Sequence, residues 1–328
     1  MRPGLIMQWG VPNAGPVCAF ICVTPLQALI AERIISYEGI GRYIFLFTNT
    51  FYNEKIERYY QRLAAPAVTS DYLLMKRNRI ANYARLAMVY KEWRHFEVER
   101  IYFGSINSAA VQFFAARFPN AKRFSFDDGT ANVLEESAYF RVRRRAAWKA
   151  LVHRLARGKV DQQALVASVE AHYTIYSGLR NIVDDSKLVE ISLAFDDGAD
   201  RPAGEPLLPS VTIFLGQPLP ESAAIRRESY VEVVRSVSPC MYLPHPGETT
   251  FASLWNVVHT DRIAEEFLIA EASRRESVRV YSLQSSALLN VRHPRMERFA
   301  IDLGLPGAFN GSYLRIAKQV GCSIVSVN

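Results

Sequence analysis

Few cysteines, no long apolar run and no acidic excess set the first limits on this 328-residue chain. Its four cysteines, Cys18, Cys22, Cys240 and Cys322, show no C-x-x-C spacing. That argues against a zinc framework or a disulfide scaffold and for reduced thiols, two of them in a buried strand. The one early apolar run, Val17 to Val23 (VCAFICV), is far shorter than the roughly 20 residues of a membrane-spanning helix. It has neither the basic lead-in nor the small-residue cleavage site of a signal peptide. The expectation is a cytoplasmic protein that is not integral to the membrane. Zinc-finger spacing, an RNA-recognition aromatic pair and a helix-turn-helix signature are all missing, so no nucleic-acid partner is expected. Nor does a D-x-D pair or a His/Asp cluster call for a metal.

What is present is an ordinary globular composition, 49% hydrophobic and 22% charged, with enough length for two cores. The net charge of +7 is uneven: eight Lys or Arg and no acid lie between Arg141 and Lys159 (RVRRRAAWKALVHRLARGK). Trp148, Leu151, Val152 and Leu155 are interleaved with them. A helix there would carry an apolar stripe beside a basic face, suited either to packing on its own domain or to peripheral contact with an anionic membrane.

The order of patterns is that of an α/β protein. Strand 19–23, a Thr24-Pro25 break, helix 26–36, strand 43–48 and helix 53–63 open the chain. A basic helix over 77–95, strands 99–103 and 122–126, and strand candidates 172–176 and 189–194 follow. A stretch of Gly, Pro and charge, GADRPAGEPLLP, reads as a linker. The rhythm then restarts with strand 212–215, helix 221–237, strand 241–243, helix 263–272 and strand 278–282, then a helix start at 286–289 and strands 299–302 and 323–327. This predicts two Rossmann-like domains facing a central cleft, over 1–203 and 204–328, with ligands bound beyond the carboxyl ends of parallel strands.

The tripeptide Asp-Asp-Gly, preceded by Phe, occurs twice. The first copy, Asp127 and Asp128, ends strand 122–126, where adjacent carboxylates can serve as a general base. The second, Asp196 and Asp197, enters the linker, where Asp and Gly are common turn residues. In the second half, LPHPGE (Leu243 to Glu248) holds His245 between two prolines directly after a strand, a rigid display suited to a general acid or an anion contact. Ser285 and Ser286 open the helix after strand 278–282 and could meet a phosphate or simply cap it.

In this order the stretches CVTPLQALIAERII, YFGSINS, FSFDDGTANV, YLPHPGE, RIAEEFLI and YSLQSSALLN resemble glycosyltransferase family 52, the bacterial lipooligosaccharide sialyltransferases, across most of the chain. The resemblance implies a GT-B fold and an inverting, metal-independent transfer, without cofactor, of sialic acid from CMP-sialic acid to a terminal galactose of a glycolipid or oligosaccharide. Carried over, Asp127 would be the base, with Asp128 as its acidic neighbour. His245 and Pro246, with Ser285 and Ser286, would meet the CMP phosphate. Glu265 or Glu266 would hold the ribose, and Gly216 and Gln217 would lie near the nucleotide. A homodimer and a site at the cytoplasmic face of the inner membrane come with the family. Gly247 departs from it, standing where an arginine commonly follows the His-Pro pair. The rival readings are the same fold using a UDP-hexose and, from another class, a non-catalytic basic lipid- or glycan-binding protein.

Overall fold

The computed structural model describes residues 15–140, 160–193, 206–217, 227–248, 256–304 and 308–326. The basic stretch Arg141 to Lys159, the second Phe-Asp-Asp-Gly and most of the linker stretch lie outside the described residues. The chain divides into two compact units. The described residues of the first fall in Met1–Asn132, Ala138–Ile175 and Arg180–Ile191. Those of the second fall in Val133–Ser137, Tyr176–Leu179 and Ser192–Asn328. Two short segments of the first half thus belong to the second unit. Within that unit Ser312 donates to Glu136, and the Tyr176 hydroxyl donates to Asn290.

The first unit is built on a sheet of seven parallel strands: β1 (Val17–Cys22), β2 (Tyr43–Asn49), β3 (Thr69–Leu74), β4 (Val98–Phe103), β5 (Lys122–Phe126), β6 (Val169–Thr174) and β7 (Leu188–Glu190). Their spatial order is β3-β2-β1-β4-β5-β6-β7. Among the described residues five helices connect them: α1 (Pro25–Tyr37), α2 (Glu54–Ala64), α3 (Arg79–Trp93), α4 (Ala109–Arg117) and α5 (Gln162–Ala167). The local reasons are plain. All six residues of β1 are buried, as a parallel strand covered on both faces must be. Thr24 caps α1 by accepting from the Gln27 N–H at 3.2 Å, and Pro25 opens the helix, where its missing N–H costs nothing. Asn53 caps α2 in the same way, 2.8 Å from the Ile56 N–H. On one face of the sheet Phe20, Tyr102 and Phe124 stack across β1, β4 and β5 at 4.5 and 4.9 Å. Among the helices, buried Trp93 lies 4.8 Å from Phe114.

The second unit holds five parallel strands, β8 (Val211–Leu215), β9 (Met241–Leu243), β10 (Val278–Ser282), β11 (Met296–Asp302) and β12 (Ser323–Ser326), in the order β12-β11-β10-β8-β9. Its helices are α6 (Arg227–Val237), α7 (Ala264–Arg274), α8 (Ser286–Asn290) and α9 (Ala308–Gln319). In each sheet the strand order reverses once, between β1 and β4 and between β8 and β10. Such switch points open the crevice where ligands of doubly wound sheets bind.

The structure moves several expected boundaries. β6 starts and ends earlier than the expected 172–176, and β7 covers only the start of 189–194. β3 and α9 have no counterpart in the sequence reading. Among the described residues no helix is long and apolar enough to cross a membrane. All four cysteines are free, with Cys18, Cys22 and Cys322 buried and Cys240 exposed.

Asp71 on β3 offers a test of packing in the first unit. Burial, with nearby Glu92 adding to it, pushes its carboxyl up to about 6, above the roughly 3.9 of an unfolded aspartate. The folded state therefore binds this proton more tightly, and stability falls as pH rises from about 4 to about 6. Asp71→Asn should melt higher than the parent at pH 8, with the gap closing below about pH 4, as followed by circular dichroism.

Candidate active site

The first unit gathers its chemistry at the carboxyl ends of β1, β4, β5 and β6. Ser125 and Asp127 are two residues apart at the end of β5, so they share a face, and Ser125 sits in register with His172 on β6. Asp127 is fully enclosed. Its Oδ1 lies 3.0 Å from His172 Nε2, while its Oδ2 accepts from the Thr174 hydroxyl at 2.8 Å and the Ile175 N–H at 2.7 Å. A carboxylate only accepts, so Nε2 carries a proton, and Nδ1 shares a 2.7 Å hydrogen bond with Ser125 Oγ. Asp127 was expected to face an acceptor; in this structure it has no exposed surface.

Asp128 is partly exposed. Its Oδ1 accepts from Gln27 Nε2 at 2.6 Å, and its Oδ2 from Ser105 Oγ at 2.5 Å and from the Tyr139 hydroxyl. Its own N–H donates to Asn132 Oδ1 at 2.7 Å. Burial and the adjacent Asp128 charge push the Tyr139 hydroxyl pKa up, which keeps it a donor. Gln27 is completely buried, and its Oε1 accepts from the Val23 N–H at 2.8 Å. The amide is thus oriented from behind and offers its N–H to the carboxylate. Gly104, after β4, is required by this arrangement: a Cβ there would stand 2.6 Å from Gln27 Cδ. Three stretches far apart in sequence, around Gln27, Gly104 and Asp128, meet at one carboxylate. Sequence reading singled out the stretches but missed Gln27, Tyr139 and His172, since a lone Gln, Tyr or His in an apolar pattern carries no signal of its own.

The second unit gathers its chemistry at the switch point. After β9, the chain makes a tight turn in which the Glu248 N–H donates to His245 O at 2.8 Å, with Pro246 at the position that favours it. The exposed His245 ring accepts from the Gly247 N–H through Nδ1 at 3.0 Å. In the neutral ring the proton therefore resides on Nε2, which is left as a donor. Partial desolvation lowers the His245 pKa, so the neutral form prevails at pH 7. Gly216 follows β8 and is buried, and Gln217 next to it accepts from the Gln284 N–H at 3.1 Å. That bond ties the end of β8 to the loop after β10. Ser285 is partly exposed and Ser286 exposed, and Ser285 makes no side-chain cap to α8. Glu265 and Glu266 are both buried, and Glu265 Oε1 accepts from Asn290 Nδ2 at 2.7 Å. A glutamate free to hold a ribose was expected there; in this structure neither presents an open carboxylate. Among the described residues no group of three or more His, Cys, Asp or Glu is placed to hold a metal ion.

Two doubly wound parallel sheets with polar side chains at their switch points define the GT-B glycosyltransferase type. In fold the chain is similar to an α/β-galactoside α-2,3-sialyltransferase from Photobacterium phosphoreum (TM-score 0.56, 10% identity, 95% of this chain and 99% of that one). It also resembles a glycosyltransferase from Rickettsia africae (TM-score 0.50, 10% identity, 95% and 85%). The model of glycosyltransferase family 52 matches residues 41–303, so the chain belongs to that family and is an enzyme of the sialyltransferase class. A Pasteurella multocida CMP-N-acetylneuraminate:β-galactoside α-2,3-sialyltransferase is 26% identical over 94% of this chain and 98% of its own length. A Neisseria meningitidis N-acetyllactosaminide α-2,3-sialyltransferase is 26% identical over 87% and 78%.

Gly104→Ala tests the role assigned to Gln27. The methyl displaces the amide from Asp128, and activity should fall about tenfold or more, a loss of at least one charge-assisted hydrogen bond. Pairing it with Gln27→Ala in a double-mutant cycle should give clearly less than additive losses; additive losses would separate the two residues.

Proposed function

We propose that this enzyme moves sialic acid from CMP-sialic acid to the galactose of a β-galactoside, with inversion at the anomeric carbon and without a metal. The observation that carries this reading is the exposed His245, held on a tight turn that occupies Nδ1 and leaves Nε2 as the donor, in a chain similar over nearly its full length to an enzyme named for that donor and linkage.

In the proposed reaction the acceptor hydroxyl attacks the anomeric carbon and gives its proton to a carboxylate of the Asp-Asp pair. The bond to the CMP phosphate oxygen breaks, and CMP departs. His245 Nε2–H and the hydroxyls of Ser285 and Ser286 meet the charge growing on that phosphate, with Pro246 and Gly216–Gln217 shaping the nucleotide's surroundings. A monophosphate leaving group carries less charge than a diphosphate, so neutral donors suffice. The resemblance assigns the base to Asp127. Accessibility supports Asp128 instead, because it is partly exposed, while Asp127 is enclosed with His172 and Thr174. Asp127 then holds the end of β5 in place. The lipooligosaccharide acceptor, a homodimer and a place at the cytoplasmic face of the inner membrane belong to the same reading. The run of basic residues from Arg141 to Lys159 supports the membrane contact.

Calorimetry with CMP, UMP and UDP, with and without EDTA, tests the donor. Metal-independent preference for CMP, weakened in His245→Ala, is the expected result; preference for UDP would turn the reading to a hexosyltransferase, and no nucleotide binding to a non-catalytic module. For the base, Asp128→Asn should lower kcat by roughly 10²–10⁴-fold with an unchanged melting temperature. Asp127→Asn should lower the melting temperature as well. A larger kcat loss in Asp127→Asn at unchanged stability would return the base to Asp127.

A further inference from the structure

Glu248 closes the His-Pro turn but enters no step of the reaction above. Its Oε1 accepts from the Tyr242 hydroxyl at 2.5 Å, and its Oε2 accepts from the His245 N–H at 3.3 Å. Tyr242 is buried on β9, and its hydroxyl is also 2.9 Å from that of Tyr230 on α6. One carboxylate therefore bridges the turn that carries the imidazole to the hydroxyl pair beneath it. The glycine after β8 makes room for this bridge. A Cβ on Gly216 would stand 2.6 Å from Tyr242 Oη and overlap Glu248 Oε2. Burial raises the pKa of Glu248, opposed by the bonds from Tyr242 and His245. A carboxylate so placed costs solvation, which only a structural or catalytic return would justify.

We propose that Glu248 is the positioning residue of His245: it holds the 245–248 turn against β8 and β9, so that Gly247 keeps its bond to Nδ1 and the imidazole presents Nε2. It follows that the missing side chain of Gly216 makes room for Glu248, beside any part its backbone has next to the nucleotide. This deepens the reading of His245 as the phosphate contact and rests on it for its catalytic consequence, but the geometry of the turn stands apart from the identity of the donor.

The mechanism gives glutamine and alanine different outcomes. The carboxamide introduced by Glu248→Gln can accept from the His245 N–H through its carbonyl and donate through its NH₂ to Tyr242 Oη, which can pass its own proton to Tyr230. Alanine can do neither. Long-range ¹H–¹⁵N spectra of the imidazoles, with His245→Gln used to assign the His245 signals, read the tautomer directly without any substrate. Glu248→Gln should keep the Nε2–H pattern, whereas Glu248→Ala should shift to mixed tautomers, at unchanged circular dichroism. In transfer assays Glu248→Ala should lose up to roughly 10²-fold in kcat/KM, the scale of a displacement of about 1 Å, and Glu248→Gln should recover most of it. Gly216→Ala should resemble Glu248→Ala, and the double variant should be no worse than Gly216→Ala alone. His245 resonances unmoved in Glu248→Ala, or glutamine as damaging as alanine, would overturn the proposal. Failure of CMP binding with the expected spectra would overturn the donor assignment and leave the turn intact.

Discussion

Parallel pairing is the constraint on which the rest depends. In a parallel sheet every strand ends on the same edge, so loops that are far apart in sequence must come together there. Helical crossovers supply the return path and cover both faces, which is why β1 and most of β2 are apolar and buried throughout. The polar clusters described above then lie at strand ends. Gln27, Ser105 and Asp128 meet in one unit, and Gly216, Gln217, Gln284 and the His245 turn follow strand ends beside the switch in the other.

Each half orients a charged or ionisable group through hydrogen bonds from amides, hydroxyls and backbone N–H groups. Asp128 is held by an amide and two hydroxyls. His245 is held by backbone N–H groups, one to its ring and one from its own nitrogen to Glu248. Such donors fix the geometry of the group they hold without neutralising it by an opposite charge.

The alternation of strand and helix, the two-unit plan and the stretches that build the sites were legible in the sequence because apolar period and turn residues are local signals. The misses have physical causes. β3 is an edge strand with Thr69, Ser70 and Asp71 half-buried, so it lacks the apolar run that marks β1. α9 includes Gly311 and Asn310, which weaken a helical pattern that tertiary packing of Tyr313, Ile316 and Ala317 restores. Two neighbouring aspartates look alike in sequence, but alternation along the end of β5 sends one toward His172 and leaves the other partly exposed. Glutamates 265 and 266, which the resemblance sets at the ribose, are both buried by the fold.

The bond between Gln27 and Asp128 spans 101 residues, and this separation sets a timetable during synthesis. At about 5–20 residues per second a ribosome needs roughly 5–20 s to travel from one partner to the other. Through that interval a glutamine destined for complete burial has no carboxylate to meet. Until β5 has been made the Gln27 amide can meet only water or its neighbours Val23 and Ser105, so the contact with Asp128 is among the last that the centre of the first sheet can form.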